Sequence, residues 1–373
     1  MYISRIYFKS FRNFIQFDQT FNKGCNLIVA PNGSGKTNIL EAIQVLSLGK
    51  SLRATTQFDL IHHDNDHAFL KAKCETDTID ILIKKLNIGQ RISKTYKRNE
   101  QSITPNAFSH QFITLWFSAE SMNVINSSSS SKREFIDNFI SGINKHYLAN
   151  LKQYKEAIHQ KNILLTKNDV IDKQKFLYLN NLLVKYGSQI IKIRSFYIEK
   201  IIQYIQLESL DRYSYKFDYL PSIECDPIFD EDIELKFYEK LNLYQQKEMI
   251  SRRCLIGPHK DSWKLYFNTN KGLSIHDLGI FGSRGQKRIG ILNMLICFLK
   301  IIKENTQFSP ILLLDDITSE LDEKNIKIVE WIVAQSKMQC FITTTSKDVF
   351  SSSFLETSNI INLLSPQDYH NIG

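Results

Sequence analysis

Residues 26–49 read NLIVAPNGSGKTNILEAIQVLSLG, and they hold the most specific structural signal of the chain. The apolar run at 26–30 predicts a short buried strand, and the apolar residues at helical spacing over 39–46 predict a helix that ends at Gly49. A glycine-rich loop connects the two. Strand, glycine loop and helix in this order form the setting in which backbone N–H groups and a helix N-terminus bind a phosphate tail. We therefore predict eight nucleotide-binding residues: Ala30, Pro31, Asn32, Gly33, Ser34, Gly35, Lys36 and Thr37.

The residue types of this loop suit a nucleoside triphosphate. Glycine lets the backbone approach the phosphates closely, because it has no Cβ atom. Lys36 supplies a positive charge for the β- and γ-phosphates, and Thr37 supplies a hydroxyl ligand for Mg²⁺. The usual pattern begins with glycine; Ala30 stands at that position, which removes turn flexibility but no phosphate donor. The alternative is a glycine–serine turn that precedes a helix by chance.

A second motif lies at residues 311–316, ILLLDD. Its apolar residues predict a buried strand, and its carboxyl end, where Asp315 and Asp316 stand, is the edge at which ligands bind in parallel sheets. We expect Asp315 to hold Mg²⁺ directly or through water, and Asp316 to orient or deprotonate the attacking water. Lys36 and Asp316 are thus the predicted catalytic residues, and Thr37 and Asp315 are the predicted metal ligands. The alternative is an aspartate that only caps a strand–helix turn.

The composition excludes two classes of protein. The chain has 373 residues, of which 43% are hydrophobic and 23% charged, and these values exclude disorder over most of its length. The longest apolar stretch, 291–299, is too short to cross a bilayer, and the N-terminal residues lack the apolar core of a signal peptide. The six cysteines are far apart and form no CxxC pair. We therefore expect reduced thiols, no structural zinc, no membrane partner and a cytoplasmic location.

The net charge is +8, and two segments are strongly basic. Residues 145–212 hold twelve Lys and Arg against six Asp and Glu, and residues 84–98 hold six Lys and Arg and no acid. Such surpluses suit a polyanion such as DNA, although a solvated basic face without a partner explains them equally well. The lysines of 145–212 are candidate phosphate contacts. So are the six cations of the other segment: Lys84, Lys85, Arg91, Lys94, Lys97 and Arg98.

Three regions differ in their hydrophobic pattern. Short alternating runs over 67–118 predict antiparallel hairpins. Five serines at 127–131 predict a flexible loop, and residues 132–250 predict long helices interrupted by a strand-like piece at 213–219. The last third returns to apolar strands between helices, one of which is an amphipathic helix predicted over 319–335. Apolar, non-alternating strands between helices indicate a parallel sheet that is covered on both faces.

A third motif, GSRGQ, stands before a long helix whose N-terminus can bind anions. The order of phosphate loop, SxGQ motif and paired aspartates followed by SELD resembles the ATP-binding-cassette heads of the SMC, Rad50 and RecF group. Within that group, the whole chain resembles the RecF family of bacterial recombination mediators. The matching strings, in the family's order, are FRN (11–13), NGSGKTNILEAI (32–43), SLR (51–53), FSAES (117–121), KREFID (132–137), GPHKD (257–261), GSRGQ (282–286), LLLDDITSELD (312–322) and FITTT (341–345).

The resemblance implies a fold and a division into domains. The fold would be α/β: a P-loop ATPase head of the ATP-binding-cassette type, with a mixed sheet, an antiparallel β subdomain and an inserted, mainly helical arm. Residues 1–122 would form the N-terminal lobe of the head, with the phosphate loop and the β subdomain. Residues 123–254 would form the arm. Residues 255–373 would form the C-terminal lobe, with the SxGQ motif and the paired aspartates.

The resemblance also implies a mechanism. Ser283 and Gly285 would contact the γ-phosphate bound by the other subunit, so ATP would join two heads in a homodimer. The family binds DNA, with a preference for single-strand/double-strand junctions at gaps, and works with RecO and RecR to place RecA on DNA. Hydrolysis would be weak and DNA-stimulated, and it would reset the dimer. Arg12 and Arg53 are candidate contacts to DNA phosphates on family grounds alone.

Some positions depart from the family pattern, and some alternatives stay open. Ala119 replaces a proline, Lys132 replaces one of two adjacent arginines, and Lys260 replaces an arginine in GPHKD. GPHKD is either a tight turn into a strand at 263–267 or a contact to nucleotide or DNA. Other possible functions are an SMC- or Rad50-type engine, a transporter ATPase and an ATP-gated clamp with negligible turnover. The short arm without a CxxC hook argues against the first, and the absence of a membrane segment argues against the second.

Overall fold

The chain forms two compact units in the computed structural model. The first comprises Met1–Met122 with Ile302–Gly373, and the second comprises Asn123–Ile301. The boundaries between the two compact units lie after residues 122 and 301. The lobe limits predicted after residues 122 and 254 stay a prediction. The structure describes residues 2–86, 91–167, 172–207, 210, 213–224, 232–269, 275–306 and 309–363.

The regular elements are numbered in chain order. The strands are β1 (Ile3–Phe11), β2 (Phe14–Thr20), β3 (Cys25–Val29), β4 (His67–Cys74), β5 (Thr78–Lys85), β6 (Ile92–Arg98), β7 (Gln101–Ile103), β8 (Thr114–Ser118), β9 (Tyr213–Leu220), β10 (Ser262–Thr269), β11 (His276–Asp277), β12 (Ile311–Asp315), β13 (Cys340–Thr344) and β14 (Asn359–Asn362). The helices are α1 (Lys36–Leu48), α2 (Pro105–Phe108), α3 (Ala119–Met122), α4 (Ser129–Ile143), α5 (Lys145–Lys167), α6 (Lys173–Leu207), α7 (Ile233–Ser251), α8 (Leu278–Phe281), α9 (Arg284–Asn305), α10 (Glu323–Ser336) and α11 (Ser352–Thr357).

Two sheets form the first unit. The antiparallel sheet has the order β2-β1-β4-β5-β6-β7, and the parallel sheet has the order β14-β3-β13-β12-β8. The predicted parallel sheet is confirmed, and so are the hairpins from β4 to β7. The prediction is wrong for β8, which pairs parallel with β12; its residues are mostly buried rather than alternating, as in other strands of a parallel sheet. One hydrophobic core joins both sheets to α1.

Helix α1 connects the phosphate loop to this core. Gly35 is its N-cap and Gly49 is its C-cap, and both have positive φ values. The Gly49 N–H donates to the Val45 carbonyl, which ends the helix where the sequence predicts. Ile39, Ile43 and other apolar residues of the helix are fully buried, so the helix holds the loop at the edge of the parallel sheet.

Long helices and a small antiparallel sheet form the second unit. The sheet has the order β11-β10-β9, and β9 confirms the strand-like piece predicted at 213–219. Helix α6 has 35 residues and packs against both α5 and α7. At 1.5 Å per residue it is about 50 Å long, which agrees with the short arm expected from the sequence.

Two local predictions are wrong, and both errors arise from helix caps. The serine run is not a flexible loop: Ser128 caps α4, and its side chain accepts a hydrogen bond from the Ser131 N–H. Serine is among the best N-cap residues, so a serine cluster can start a helix. The helix predicted to begin at residue 319 begins at Glu323, because the Asp322 side chain caps it there by accepting from the Asn325 N–H.

Throughout the described ranges, no helix combines the length and the hydropathy needed to cross a bilayer. Cys225 lies outside the described residues. The other five cysteines are buried thiols: Cys25, Cys74, Cys254, Cys297 and Cys340.

Candidate nucleotide-binding site

The loop between β3 and α1 turns at two glycines. Gly33 and Gly35 have φ values of 81° and 96°, a region that favours glycine. A Cβ atom on Gly35 would lie 2.6 Å from Cε2 of Phe14, so any side chain at this position would force the Phe14 ring to move. Ala30 lies outside the positive-φ region, and its N–H donates to the Thr344 carbonyl at 3.2 Å. The backbone at the first loop position therefore accepts alanine in place of glycine.

Lys36 folds back over this loop. Its Nζ donates to the Ala30 carbonyl at 2.5 Å and to the Pro31 carbonyl at 2.8 Å. Burial lowers the pKa of Lys36, and the charges of Asp316 and Asp315 act in the opposite direction. A cation held at a helix N-terminus among backbone groups can bind the oxygens of a phosphate tail.

The first aspartate of the pair is held by two hydroxyl groups. Oδ1 of Asp315 accepts hydrogen bonds from Thr37 Oγ1 at 2.9 Å and from Thr343 Oγ1 at 2.8 Å. Burial raises the pKa of Asp315, and the two hydroxyl donors and the charge of Arg53 oppose that rise. The structure therefore brings together Thr37 and Asp315, the two residues predicted to bind a metal ion.

The second aspartate has an unusual backbone. Asp316 has φ 49° and ψ 30°, a left-handed conformation that aspartate tolerates better than most residues. Its N–H donates to Thr343 Oγ1 at 2.9 Å. One hydroxyl thus orients both aspartates, because it donates to Asp315 and accepts from the backbone of Asp316. Our sequence reasoning missed Thr343, although its threonine run follows an apolar strand and so lies at the same sheet edge as the aspartates.

Two buried polar atoms at this edge of the sheet have no hydrogen-bond partner among the described residues. They are Ser34 Oγ and Asp316 Oδ1. An unsatisfied buried polar atom costs about 1–3 kcal/mol, so such atoms are rare without a reason. A phosphate oxygen can accept from the serine hydroxyl, and a water molecule can donate to the carboxylate. The residues present therefore fit a nucleotide with its cation.

Arg12 and Arg53, the candidates on family grounds, have different surroundings. Nε and Nη2 of Arg12 donate to the buried Glu41 carboxylate of α1 at 2.7 and 2.6 Å. Ser51 Oγ donates to the same carboxylate at 2.6 Å. Arg12 therefore fixes α1, whereas Arg53 is close enough for its charge to act on Asp315.

The GSRGQ segment opens α9 in the second unit. The Ser283 N–H donates to Gln286 Oε1 at 2.8 Å, and the Gln286 N–H donates to Ser283 Oγ at 3.3 Å, which is a capping box. Ser283 is exposed, and a Cβ atom on Gly285 would meet nothing within 4 Å. Ile280 and Phe281 just before it are 69% and 65% exposed. The helix start is thus fully formed and accessible.

The candidate DNA contacts between residues 84 and 98 do not share one environment. Lys84 and Arg91 are exposed. Lys94 instead donates to the Gly49 carbonyl at 2.8 Å and to Gln57 Oε1 at 2.9 Å. Its ammonium therefore supports the end of α1, and a DNA contact by Lys94 stays a prediction.

The other three cations of this group are partly engaged with protein groups. Lys85 Nζ lies 4.9 Å from the centre of the Phe58 ring. Arg98 pairs with Asp77 at 2.9 Å. Lys97 is half-buried, and its register position in β6 is opposite Asp80 of β5.

The GPHKD segment forms a tight turn, which is one of its two possible roles. A 3₁₀ turn covers Pro258–Lys260 and leads into β10. Asp261 after the turn is buried and accepts from Nη1 of the buried Arg194 at 2.7 Å. Arg194 also pairs with Asp137 of α4 at 2.8 Å. The turn therefore fixes α4 and α6 through buried charges, and a contact of Lys260 with nucleotide or DNA stays a prediction.

Comparison with known proteins identifies the family. Residues 2–366 match the family described as the RecF/RecN/SMC N terminal domain. The DNA replication and repair protein RecF of Clostridium perfringens is 31% identical over 370 residues, which cover 98% of each chain. This chain belongs to the RecF family.

Solved RecF structures agree with this assignment. The recombination mediator protein RecF-ATPrS of the RecFOR pathway has a TM-score of 0.81 at 28% identity, covering 98% of both chains. The corresponding RecF-ATP structure has a TM-score of 0.74 at 29% identity, covering 93% of this chain and 94% of that one. The predicted fold class, an ATPase head with a helical arm, is confirmed. An Smc head domain from Pyrococcus furiosus has a TM-score of 0.51 at 18% identity over all of this chain and 98% of its own, a likeness of fold alone.

Proposed function

We propose that this RecF-family chain is an ATP-dependent DNA-binding protein of recombinational repair and replication. ATP binds at residues 30–37 and joins two copies head to head, and the closed dimer binds DNA at single-strand/double-strand junctions. With RecO and RecR it helps to load RecA. The support is membership of the family, whose relatives include a DNA replication and repair protein RecF and a RecF-ATP structure of the RecFOR pathway.

The observation that carries the proposal is the meeting of three parallel strand ends. β3 leads into the phosphate loop, β12 ends at the two aspartates, and β13 lies between them with Thr343. In this arrangement Lys36 and the loop N–H groups bind the phosphates, and Asp316 orients or deprotonates the attacking water. The unpartnered, buried Oδ1 of Asp316 supports that role, because this oxygen can accept a hydrogen bond from water.

Thr37 and Asp315 would hold Mg²⁺, which prefers oxygen ligands and would neutralise charge on the phosphates. Their hydroxyl and carboxylate oxygens lie 2.9 Å apart. Thr343 supports this role by fixing the orientation of the Asp315 carboxylate. Asp316 is one methylene shorter than the glutamate of many related heads, so we expect slow hydrolysis, which DNA would stimulate.

Ser283 and Gly285 would contact the γ-phosphate that a second copy binds. The accessible start of α9 supports this role, and so do the exposed Ile280 and Phe281, which a second copy would cover. In the same proposal, residues 1–122 and 255–373 act as the two lobes of the head, and residues 123–254 act as the arm. DNA phosphates would be bound by the arm lysines and by Lys84, Lys85, Arg91, Lys94, Lys97 and Arg98.

Nucleotide-dependent mass and turnover test the proposal. Sedimentation velocity is expected to give a dimer with ATP and a monomer with ADP, and hydrolysis is expected to be slow and faster with gapped DNA. Asp316→Asn should bind ATP and dimerise but lose turnover. Unchanged turnover in this variant would show that Asp316 is not the base. No measurable turnover in the wild type, with normal dimerisation, would favour the ATP-gated clamp.

The contact in trans has its own variant. Ser283→Arg should bind ATP as a monomer, because the large, charged arginine side chain blocks the approach of the second head. Ser352→Arg is the matched control, since Ser352 is exposed at the start of another helix, α11. The control should dimerise normally. A normal ATP dimer of Ser283→Arg would refute the role given to this segment.

A further inference from the structure

The two faces of the antiparallel sheet differ in chemistry. On one face, alternate residues such as Leu70 of β4 and Ile81 of β5 are fully buried in the core that includes α1. The side chains between them point to the other face, where most of them are exposed or half-buried. We call this the outer face, and it comprises the outward residues of β1, β2, β4, β5 and β6.

Strand register places a small aromatic patch on the outer face. Tyr7 of β1 is opposite Lys71 of β4, and Lys9 is opposite Phe69. The Tyr7 and Phe69 rings are therefore diagonal neighbours, with centroids 6.2 Å apart and an angle of 55° between their planes. Leu82 of β5 is opposite Phe69 and extends the patch. All three apolar side chains are half-buried, so each ring keeps an accessible part.

Cations surround this patch. Two carboxylates share the face with six cations, which leaves it strongly basic. Asp18 is already paired with Arg5, and Asp80 is buried with Lys71 and Lys97 near enough for their charges to act on it. Within the part of the chain that the structure describes, Lys9, Lys73 and Lys84 form no salt bridge with a carboxylate. The six cations of the outer face are Arg5, Lys9, Lys71, Lys73, Lys84 and Lys97.

We infer that the outer face binds single-stranded DNA, with phosphates on the lysines and bases stacked on Tyr7 and Phe69. This inference rests on the proposed DNA binding and specifies that this face binds single-stranded rather than duplex DNA. Aromatic rings within a basic surface are the combination that single strands require, because unpaired bases expose their faces for stacking. In a duplex the bases are already stacked and paired, so rings on a sheet face cannot reach them. The charge of the face is complementary to a polyanion.

Three labelled probes of equal length separate stacking from charge: oligothymidylate, the same strand without bases, and a duplex. Each is titrated by fluorescence anisotropy against ATP-loaded protein. The double variant Tyr7→Ala/Phe69→Ala should bind oligothymidylate at least about five-fold more weakly, from the loss of base stacking. Its affinity for the abasic strand and for the duplex should stay the same.

A second experiment tests the role of charge with a pair of lysine substitutions and a matched control. Lys9→Gln/Lys73→Gln should weaken the binding of all three probes. It should also make their affinity less dependent on salt concentration, since fewer counterions are released. Lys324→Gln/Lys327→Gln removes two exposed cations from α10 and should change neither. Equal melting temperatures would establish that each variant is folded.

Several outcomes overturn the inference. Base stacking on this face is excluded if the aromatic variant binds oligothymidylate as tightly as the wild type does. It is also excluded if the variant's affinity for the duplex falls as much as its affinity for oligothymidylate. A lysine pair that behaves like its control excludes phosphate binding there. Wild-type protein that binds none of the three probes would overturn the proposed function as well, whereas normal wild-type binding with unaffected variants would overturn this inference alone.

Discussion

Removing one hydroxyl tests how the two aspartates are positioned. Thr343 Oγ1 donates to Asp315 at 2.8 Å and accepts from the Asp316 N–H at 2.9 Å. Thr343→Val keeps the shape of the side chain but leaves that N–H unpaired and removes one of the two hydroxyl donors to Asp315. Each loss is worth about 1–3 kcal/mol at a buried site. If the aspartates then lose their orientation, hydrolysis should slow by about ten- to a hundred-fold.

The assay separates binding from turnover. ATP affinity is measured by equilibrium titration, and hydrolysis is measured at saturating ATP. Thr343→Val should change the affinity little, because the phosphate loop is intact, while kcat falls. Thr343→Ser restores the hydroxyl and should recover most of the rate.

A matched control is available in the same region. Thr318 Oγ1 lies 3.1 Å from Thr344 Oγ1 and has no hydrogen bond to either aspartate. Thr318→Val should therefore keep the wild-type rate. A wild-type rate in Thr343→Val, or an equal loss in Thr343→Ser, would refute the argument that this hydroxyl positions the aspartates.

The turn at residues 257–260 gives two further predictions. Burial lowers the pKa of His259 from 6.5 to about 3, so the unfolded chain gains a proton first as the pH falls, and stability is lost below about pH 6.5. From about pH 8 to about pH 5 the wild type should lose about 2 kcal/mol more than His259→Gln in denaturant unfolding, while His159→Gln, at an exposed site, should follow the wild type. Parallel curves for all three proteins would contradict a His259 side chain that stays neutral in the folded protein. Gly257 has φ 131°, and a Cβ atom there would lie 2.1 Å from the Tyr154 hydroxyl. Gly257→Ala should therefore destabilise by about 2–4 kcal/mol, in contrast to Gly24→Ala, where nothing lies within 4 Å; equal melting temperatures would show that the turn can relax.

The phosphate loop and its supporting strands were predictable because their signals are local. An apolar run, two glycines and a helical repeat fix the path of β3, the loop and α1. The position of Asp315 and Asp316 at the end of a buried strand was predictable for the same reason, while their roles stay a prediction. The parallel sheet then brings strands from distant parts of the chain to one edge, as expected from its topology.

Residues whose role depends on strand register or on a cap were harder to predict. The cations of 84–98 form one segment in sequence, yet Lys94 supports α1 while Lys84 lies on the outer face, because side chains alternate along a strand. Lys9 and Lys73 join the same face from other strands and give no local signal. The serine run looked like a loop because composition alone cannot show that Ser128 caps a helix.

If ATP controls DNA binding, one titration should show it. Binding of gapped DNA is measured by anisotropy for the wild type and for Lys36→Ala, each with ATP and with ADP, with Lys324→Ala as the control for charge. Tight binding is expected only for the wild type and for Lys324→Ala, and only with ATP. Equally tight binding by folded Lys36→Ala, or by the wild type with ADP, would contradict it.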